Sequence, residues 1–242
     1  MLSPARSSKG PWRADLNLDK YDTENAAELV HPVLLLSEGK SDASFLTHLI
    51  GQRDVAALHI GFPTDITGGF GKTGFGKFLA SLPARTGFEN LKSILLLYDN
   101  DDDPHAAFMA VRALVSPGDP YSIPATPMNL AEAEKNKVRL MFVPMPEVGQ
   151  PGTLETLLLQ SATASADALR CVDDLVKCAE CASWPPSAAA KMRLRCLIAV
   201  KCQGHSDITL THVWGKAGNP IDLTHACFDE LVQTVRDVVA TV

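Results

Sequence analysis

ILLLYDNDDDPH, Ile94 to His105, runs from four apolar residues and a tyrosine straight into acids at Asp99, Asp101, Asp102 and Asp103. A short all-apolar run that stops at charge reads as a strand buried on both faces, the kind found in parallel sheets. Carboxylates a few ångströms apart repel one another, so such a cluster either faces water as a cap or holds a cation.

The same grammar extends in both directions. VLLL, Val33 to Leu36, is a second buried-strand run; SEGKSD breaks it, and Phe45, Leu46, Leu49 and Ile50 then recur at helical spacing, with Ser41 the expected N-cap. AALHIGF, residues 56–62, reads as a strand, followed by a glycine-rich loop and a helix over 75–82. A helix is expected from Pro104 to Val115, an excursion over 116–136 with prolines at 117, 120, 124 and 127, and a further strand at VRLMFVP. Alternation of this kind predicts an α/β fold, a Rossmann-like, mostly parallel four-stranded sheet flanked by helices. From Thr153 onward LETLLLQ, ADALRCVDDLVKCAECA, SAAAKMRLRCLIAVK and FDELVQTVRDVV are helical in pattern. The expected organisation is a flexible extension over 1–30, an α/β domain over 31–162, and a helical C-terminal region over 163–242 packed on or beside it.

The 242 residues, 46% of them hydrophobic, suffice for a full core. No run approaches the roughly eighteen apolar residues that span a bilayer, and MLSPARSSKGPWRADLNLDKYD carries basic residues without a hydrophobic segment, so a cytoplasmic location and no membrane association are expected. A net charge of -6 argues against a surface that grips nucleic acid everywhere. It leaves room for a local basic face, for which Lys191, Arg193, Arg195 and Lys201 are candidates. All 6 cysteines lie in the last third; reduced thiols are expected, and Cys178 and Cys181 form a CxxC with no second pair at zinc spacing. His205, His212, Trp184 and Trp214 read as surface or packing residues.

TGGFGKTGFGK, Thr67 to Lys77, invites phosphate-binding readings that it does not satisfy. A P-loop needs glycine where Ile66 stands, and the dinucleotide fingerprint belongs after the first strand. A flexible turn whose Lys72 and Lys77 contact a nucleic-acid backbone is the better expectation.

Open α/β sheets bind ligands at the carboxyl ends of their strands. Glu38 follows the first strand, and Asp99 and Asp101 follow the SILLLY strand, where extended alternation is expected to turn both side chains the same way. Asp42 lies one helical turn beyond Glu38. Glu155 opens a helix after the last strand, and the loop PEVGQPG can return it to the sheet edge. Oxygen-only ligands of this kind suit Mg²⁺ or Mn²⁺. The plainer roles are helix capping for Asp42 and Glu155 and solvated loop charge for Asp102 and Asp103.

SEGKSD after an apolar strand, followed by LLLYDNDDD, resembles the Toprim domain, with its glutamate in an EGxxD-type turn and a later DxD. The likeness is nearest to small stand-alone Toprim-like proteins of unknown function related to the overcoming-lysogenisation-defect (OLD) nucleases, which also carry a G-x-L-E-x-L-L segment, here Gly152 to Leu158. It spans roughly residues 32–160, with a weaker echo to the C-terminus. Carried over by position, it implies a Toprim-like fold, Glu38 as catalytic glutamate, Asp99 and Asp101 as a catalytic, metal-binding pair, Asp42 and Glu155 as further metal ligands, and Lys191 as a catalytic, charge-stabilising lysine. The implied activity is metal-dependent phosphodiester hydrolysis on nucleic acid, DNA or RNA, with one ion on Asp99 and Asp101 and a second on Glu38, Glu155 and Asp42. The alternative is a non-catalytic metal- or nucleic-acid-binding scaffold that regulates a partner protein; an OLD-like role without an attached ATPase domain would use a partner chain or act alone. A topoisomerase would need a nucleophilic tyrosine on a further domain, and the tyrosines here are Tyr21, Tyr98 and Tyr121. A primase would bring a zinc module and a basic lobe. A receiver-type phosphoacceptor needs adjacent acids after the first strand, whereas Glu38 is followed by Gly39.

Overall fold

The apolar runs pair side by side. The computed structural model describes residues 12–13, 28–55, 58–63, 71–116 and 118–242, and within them six strands form one sheet. These are β1 (Trp12–Arg13), β2 (Val33–Ser37), β3 (Leu58–Gly61), β4 (Ser93–Asp99), β5 (Tyr121–Ser122) and β6 (Val138–Met145), in the order β1-β3-β2-β4-β6-β5. Every pair is parallel, giving a Rossmann-like α/β fold. The four longer strands are the expected ones. The two-residue strands β5 and β1 were not foreseen, since β5 lies inside the proline-rich excursion and β1 inside the stretch expected to be an extension; two residues are too few for a period to register.

Seven helices accompany the sheet among the described residues: α1 (Lys40–Gln52), α2 (Lys72–Ser81), α3 (Pro104–Arg112), α4 (Leu154–Gln160), α5 (Ala166–Cys178), α6 (Pro186–Lys201) and α7 (Asp229–Ala240). Successive strand residues point to opposite faces, and the core divides accordingly. Leu35, Leu95, Leu97, Met141 and Val143 pack with Phe45, Leu158, Leu194, Ile198, Leu231 and Val235, so α1, α4, α6 and α7 cover one face. Leu34, Leu36, Leu96, Tyr98 and Phe142 pack with Phe75, Phe78 and Phe108, so α2 and α3 cover the other. The C-terminal helices α6 and α7 thus share a core with the sheet.

Several local expectations change. The core reaches back to Leu29, which is 1% exposed. His59, also buried, holds this entry segment: its Nε2 accepts the backbone N–H groups of Val30 and His31, both at 3.0 Å. Helix α1 is capped at Gly39 rather than Ser41, because the Asp42 carboxylate reaches back to the Gly39 N–H at 3.0 Å. Helix α2 begins three residues earlier than expected. Gly74 and Gly76 are therefore helical, and a Cβ at Gly76 would stand 3.2 Å from the Leu114 carbonyl oxygen, so this glycine serves close helix packing. Residues 64–70, with Gly69, lie outside the described residues. Trp214 packs on Phe45 and His48, whereas Trp184, expected to pack, is 46% exposed. His205 and His212 lie on the surface, His212 beside the Thr209 hydroxyl at 3.0 Å. The cysteines are free thiols. Among the described residues no helix is long and apolar enough to cross a membrane.

Candidate functional site

The register of the central strands determines which acids meet. Ser37 pairs with Leu97 across β2 and β4, so Glu38 leaves its strand beside the end of β4. Its Oε1 accepts the Asp99 backbone N–H at 2.8 Å. The Asp99 carboxylate in turn accepts the Leu154 N–H at 2.8 Å through Oδ1, tying β4 to the first turn of α4. Glu38, Asp42 and Asp99 line one narrow cleft with Phe45, Leu46, Leu97, Tyr98, Met145 and Leu154. Its free volume is about 10 Å³, the room of roughly one water molecule. Asp42 lines it from the first turn of α1 and also has the helix-capping role expected of it.

Two lysines flank the acids. Lys191 on α6 places Nζ 3.7 Å from Asp99 Oδ2. Lys72, the first residue of α2, pairs with Asp101. The loop behind Lys72 is held by the Gly71 N–H, which donates to the Glu38 carbonyl at 3.1 Å. Lys77 is exposed, five positions after Lys72 and so about 140° round the same helix; it is not brought to this site. The expected basic stretch also divides: Arg193 turns to Asp173 on α5 at 3.3 Å, while Lys191 faces the acids.

Asp101 and Glu155 are near the cleft but otherwise engaged. The strand stops at Asp99, and Asp101 adopts φ +50, so the extended alternation expected to align Asp99 with Asp101 is broken. Glu155 Oε2 accepts the Thr153 hydroxyl at 2.8 Å. Asp102 is exposed, and Asp103 caps α3 by accepting the Ala106 N–H at 2.9 Å. Tyr98 and Tyr121 are buried, with burial pushing both phenols well above their ordinary range, while Tyr21 lies outside the described residues.

The electrostatics show the acids sensing one another. Burial and then the neighbouring Asp99 push the Glu38 carboxyl up to about 8. Burial, Asp99 and Glu155 push Asp42 up to about 7. Burial pushes Asp99 up to about 6, against the restraining Leu154 N–H and Lys191. For Lys191, burial pulls downward, but Asp99, Glu155, Asp101 and Glu38 outweigh it and hold the ammonium above its usual value. Carboxylates from β2, α1, β4 and α4 therefore share one field.

Asn100, the middle residue of the DxD, is not among the candidates that the sequence offers. It is 1% exposed, and its Nδ2 donates to the carbonyls of Glu147 at 2.7 Å and Gln150 at 2.8 Å. Its own N–H donates to Met145, and the Gly152 N–H reaches the Asp101 carbonyl at 2.6 Å. Together these bonds press the 146–152 loop against the end of β4, where Leu154 can reach Asp99. The available signal was an amide inside an otherwise acidic run, where loop charge alone would not require one.

The donor set fits a hard divalent cation: oxygen-only, anionic and mutually repelling, in a cleft of ion size. As they stand, among the described residues, no three His, Cys, Asp or Glu side chains are grouped closely enough to hold one. Asp101 is paired with Lys72, and Glu155 accepts from Thr153.

A family model described as "Protein of unknown function (DUF3226)" matches residues 32–234. The chain belongs to this family. The DUF3226 match takes in every acid of the cleft together with Lys72, Asn100 and Lys191, and it ends within α7. No curated protein and no solved structure matches the chain.

Proposed function

We propose that the protein hydrolyses phosphodiester bonds in nucleic acid with Mg²⁺ or Mn²⁺, acting in the cytoplasm. The observation that carries this reading is the Asp99 N–H bond to Glu38 Oε1. It holds two carboxylates from adjacent strand ends in a cleft where a cation would relieve their repulsion. The resemblance to Toprim domains supports the same residues in the same roles.

Glu38 and Asp99 would hold the ion with water, and Asp42, Asp101 and Glu155 would join them on leaving their present partners. A divalent ion there would supply Lewis acidity and a nucleophilic water at neutral pH. The chain's own contribution is positional and electrostatic. The Leu154 N–H orients Asp99, and the Asp99 N–H orients Glu38. Lys191 on one side and Lys72 on the other offer cations to the non-bridging oxygens of a phosphate.

The test is to incubate the protein with plasmid DNA and with single-stranded DNA and RNA in Mg²⁺ or Mn²⁺. Cleavage is expected, and it should be lost in Asp99→Ala and Glu38→Ala. An absence of cleavage, or cleavage unchanged in both variants, removes the reading.

The engagement of Asp101 with Lys72 and of Glu155 with Thr153 favours a second reading. In it the site binds metal or nucleic acid without cutting, and the protein serves as a regulatory scaffold for a partner protein. Metal titration that raises the Tm while every nuclease assay stays silent selects this alternative.

A further inference from the structure

Beside the acidic cleft, between α6, the start of α1 and the segment 206–211, lies a second and much larger cavity of about 500 Å³. It lies within the size range of small-molecule sites. Glu155 and Lys191 line it, and Lys191 Nζ stands 3.7 Å from Asp99 Oδ2, so one wall of this cavity reaches the acids. Its accessible apolar groups are the half-buried Ile208 and Leu210, which pack on the core that holds Leu194 and Ile198. Ser41, Thr209 and Thr211 add hydroxyls to its wall. The 206–211 segment is anchored on α1: Ser41 Oγ lies 3.1 Å from Thr211 Oγ1, and the Ser44 hydroxyl donates to the Thr211 carbonyl at 2.8 Å. Arg195 stands one helical turn after Lys191 on the same face of α6, adding a second cation to a wall that also carries the acids Glu155 and Asp207.

We propose that this cavity is the subsite for one unpaired nucleoside adjoining the phosphate that the acidic cleft engages. The proposal rests on the phosphodiesterase reading above for the identity of its ligand. A base would lie against Ile208 and Leu210, the sugar would face the Ser and Thr hydroxyls, and the phosphate would meet Lys191 and Arg195. A base can enter such an enclosure only when it is unstacked, because inside a duplex its faces and its pairing edge are already covered. The substrate class is therefore single-stranded nucleic acid or the frayed end of a duplex. Base contact with an apolar face tolerates sequence, so little base preference is expected.

Calorimetric titration of the whole protein with AMP, dAMP and inorganic phosphate tests the assignment without any cleavage step. The mononucleotides should bind at least tenfold more tightly than phosphate. Thr209→Trp, which fills the cavity from an exposed position, should remove that advantage while leaving phosphate binding in place. Arg195→Glu should weaken both ligands at least tenfold, and it serves as the second variant should Thr209→Trp lower the Tm. Mononucleotides that bind no better than phosphate, or equally well in both variants, overturn the subsite. A protein that cuts no diester yet binds AMP, and loses it in Thr209→Trp, keeps the subsite and removes the hydrolysis. A protein that hydrolyses bis(p-nitrophenyl) phosphate but does not tell AMP from phosphate keeps the hydrolysis and removes the subsite.

Discussion

The Asp99 backbone N–H donates to Glu38 Oε1 at 2.8 Å, so the side chain closing one strand is held by the main chain closing its neighbour. The bond needs an acceptor and not a charge. Glu38→Gln keeps the acceptor and removes the anion that Asp99 repels. Metal-dependent cleavage should fall at least 100-fold, while the Tm in EDTA at pH 8 should rise. A Tm that falls instead would mean that the Glu38 charge stabilises the fold.

The three cleft acids also set the pH dependence of stability. Glu38, Asp42 and Asp99 titrate near 8, 7 and 6 in the folded protein, above the roughly 4 of a free carboxyl. The folded state thus binds more protons than the unfolded one across this interval, and stability falls as pH rises. Their contribution is fully present below about pH 4 and is lost progressively up to about pH 8. Without metal the Tm should decline from pH 5 to pH 8.5, and Mg²⁺ or Mn²⁺ should raise it more at pH 8 than at pH 5.5. Thermal melts in EDTA and in metal across this range provide the check. A flat profile contradicts the electrostatic picture.

Asn100 acts through the loop it grips. Asn100→Ala leaves the Glu147 and Gln150 carbonyls without their donor. A lost buried hydrogen bond costs about 1–3 kcal/mol, so the Tm should fall by roughly 2–12 °C. Asn100→Asp should be at least as costly, because it removes the same donor and adds an anion between Asp99 and Asp101.

Gly152 sits at φ +142, and a Cβ there would stand 2.7 Å from Thr156 Oγ1. Gly152→Ala should therefore cost about 1–3 kcal/mol and draw the loop away from the Asp101 carbonyl, lowering cleavage as well as Tm. Gly118→Ala, at a position with open space around the added Cβ, is the matched control and should leave both unchanged.

Lys191 lowers the titration of both Asp99 and Asp42. In Lys191→Ala those carboxyls should titrate higher, shifting the acidic limb of the cleavage profile to higher pH. The rate on its plateau should drop about 10- to 100-fold through loss of a cation at the phosphate. A pH profile that keeps its position while the rate falls would place Lys191 outside the field of the acids.

The sheet and its acids were legible in the linear text because both depend on short-range pattern. Val33–Leu36 and Ile94–Leu97 are apolar on both faces, a composition that suits a strand covered by helices on two sides, and acids directly after such runs fall at the ligand-binding edge of the sheet. The small edge strands β1 and β5 were not legible, since two residues carry no period. Helix α2 was read late because its glycines suggest a loop until Leu114 is seen packed against Gly76.

Residue order alone therefore determined that the chain builds a parallel α/β sheet and that Glu38, Asp42 and Asp99 stand at its carboxyl edge. Tertiary structure decided the rest: that Asp101 turns to Lys72, that Asn100 clamps a distant loop, and that Lys191 returns from α6 to face Asp99. The reason lies in range. Strand and helix periods are written within a few neighbouring residues, whereas the direction of a charged side chain depends on which remote partner, packed there by the common core, offers it the stronger field.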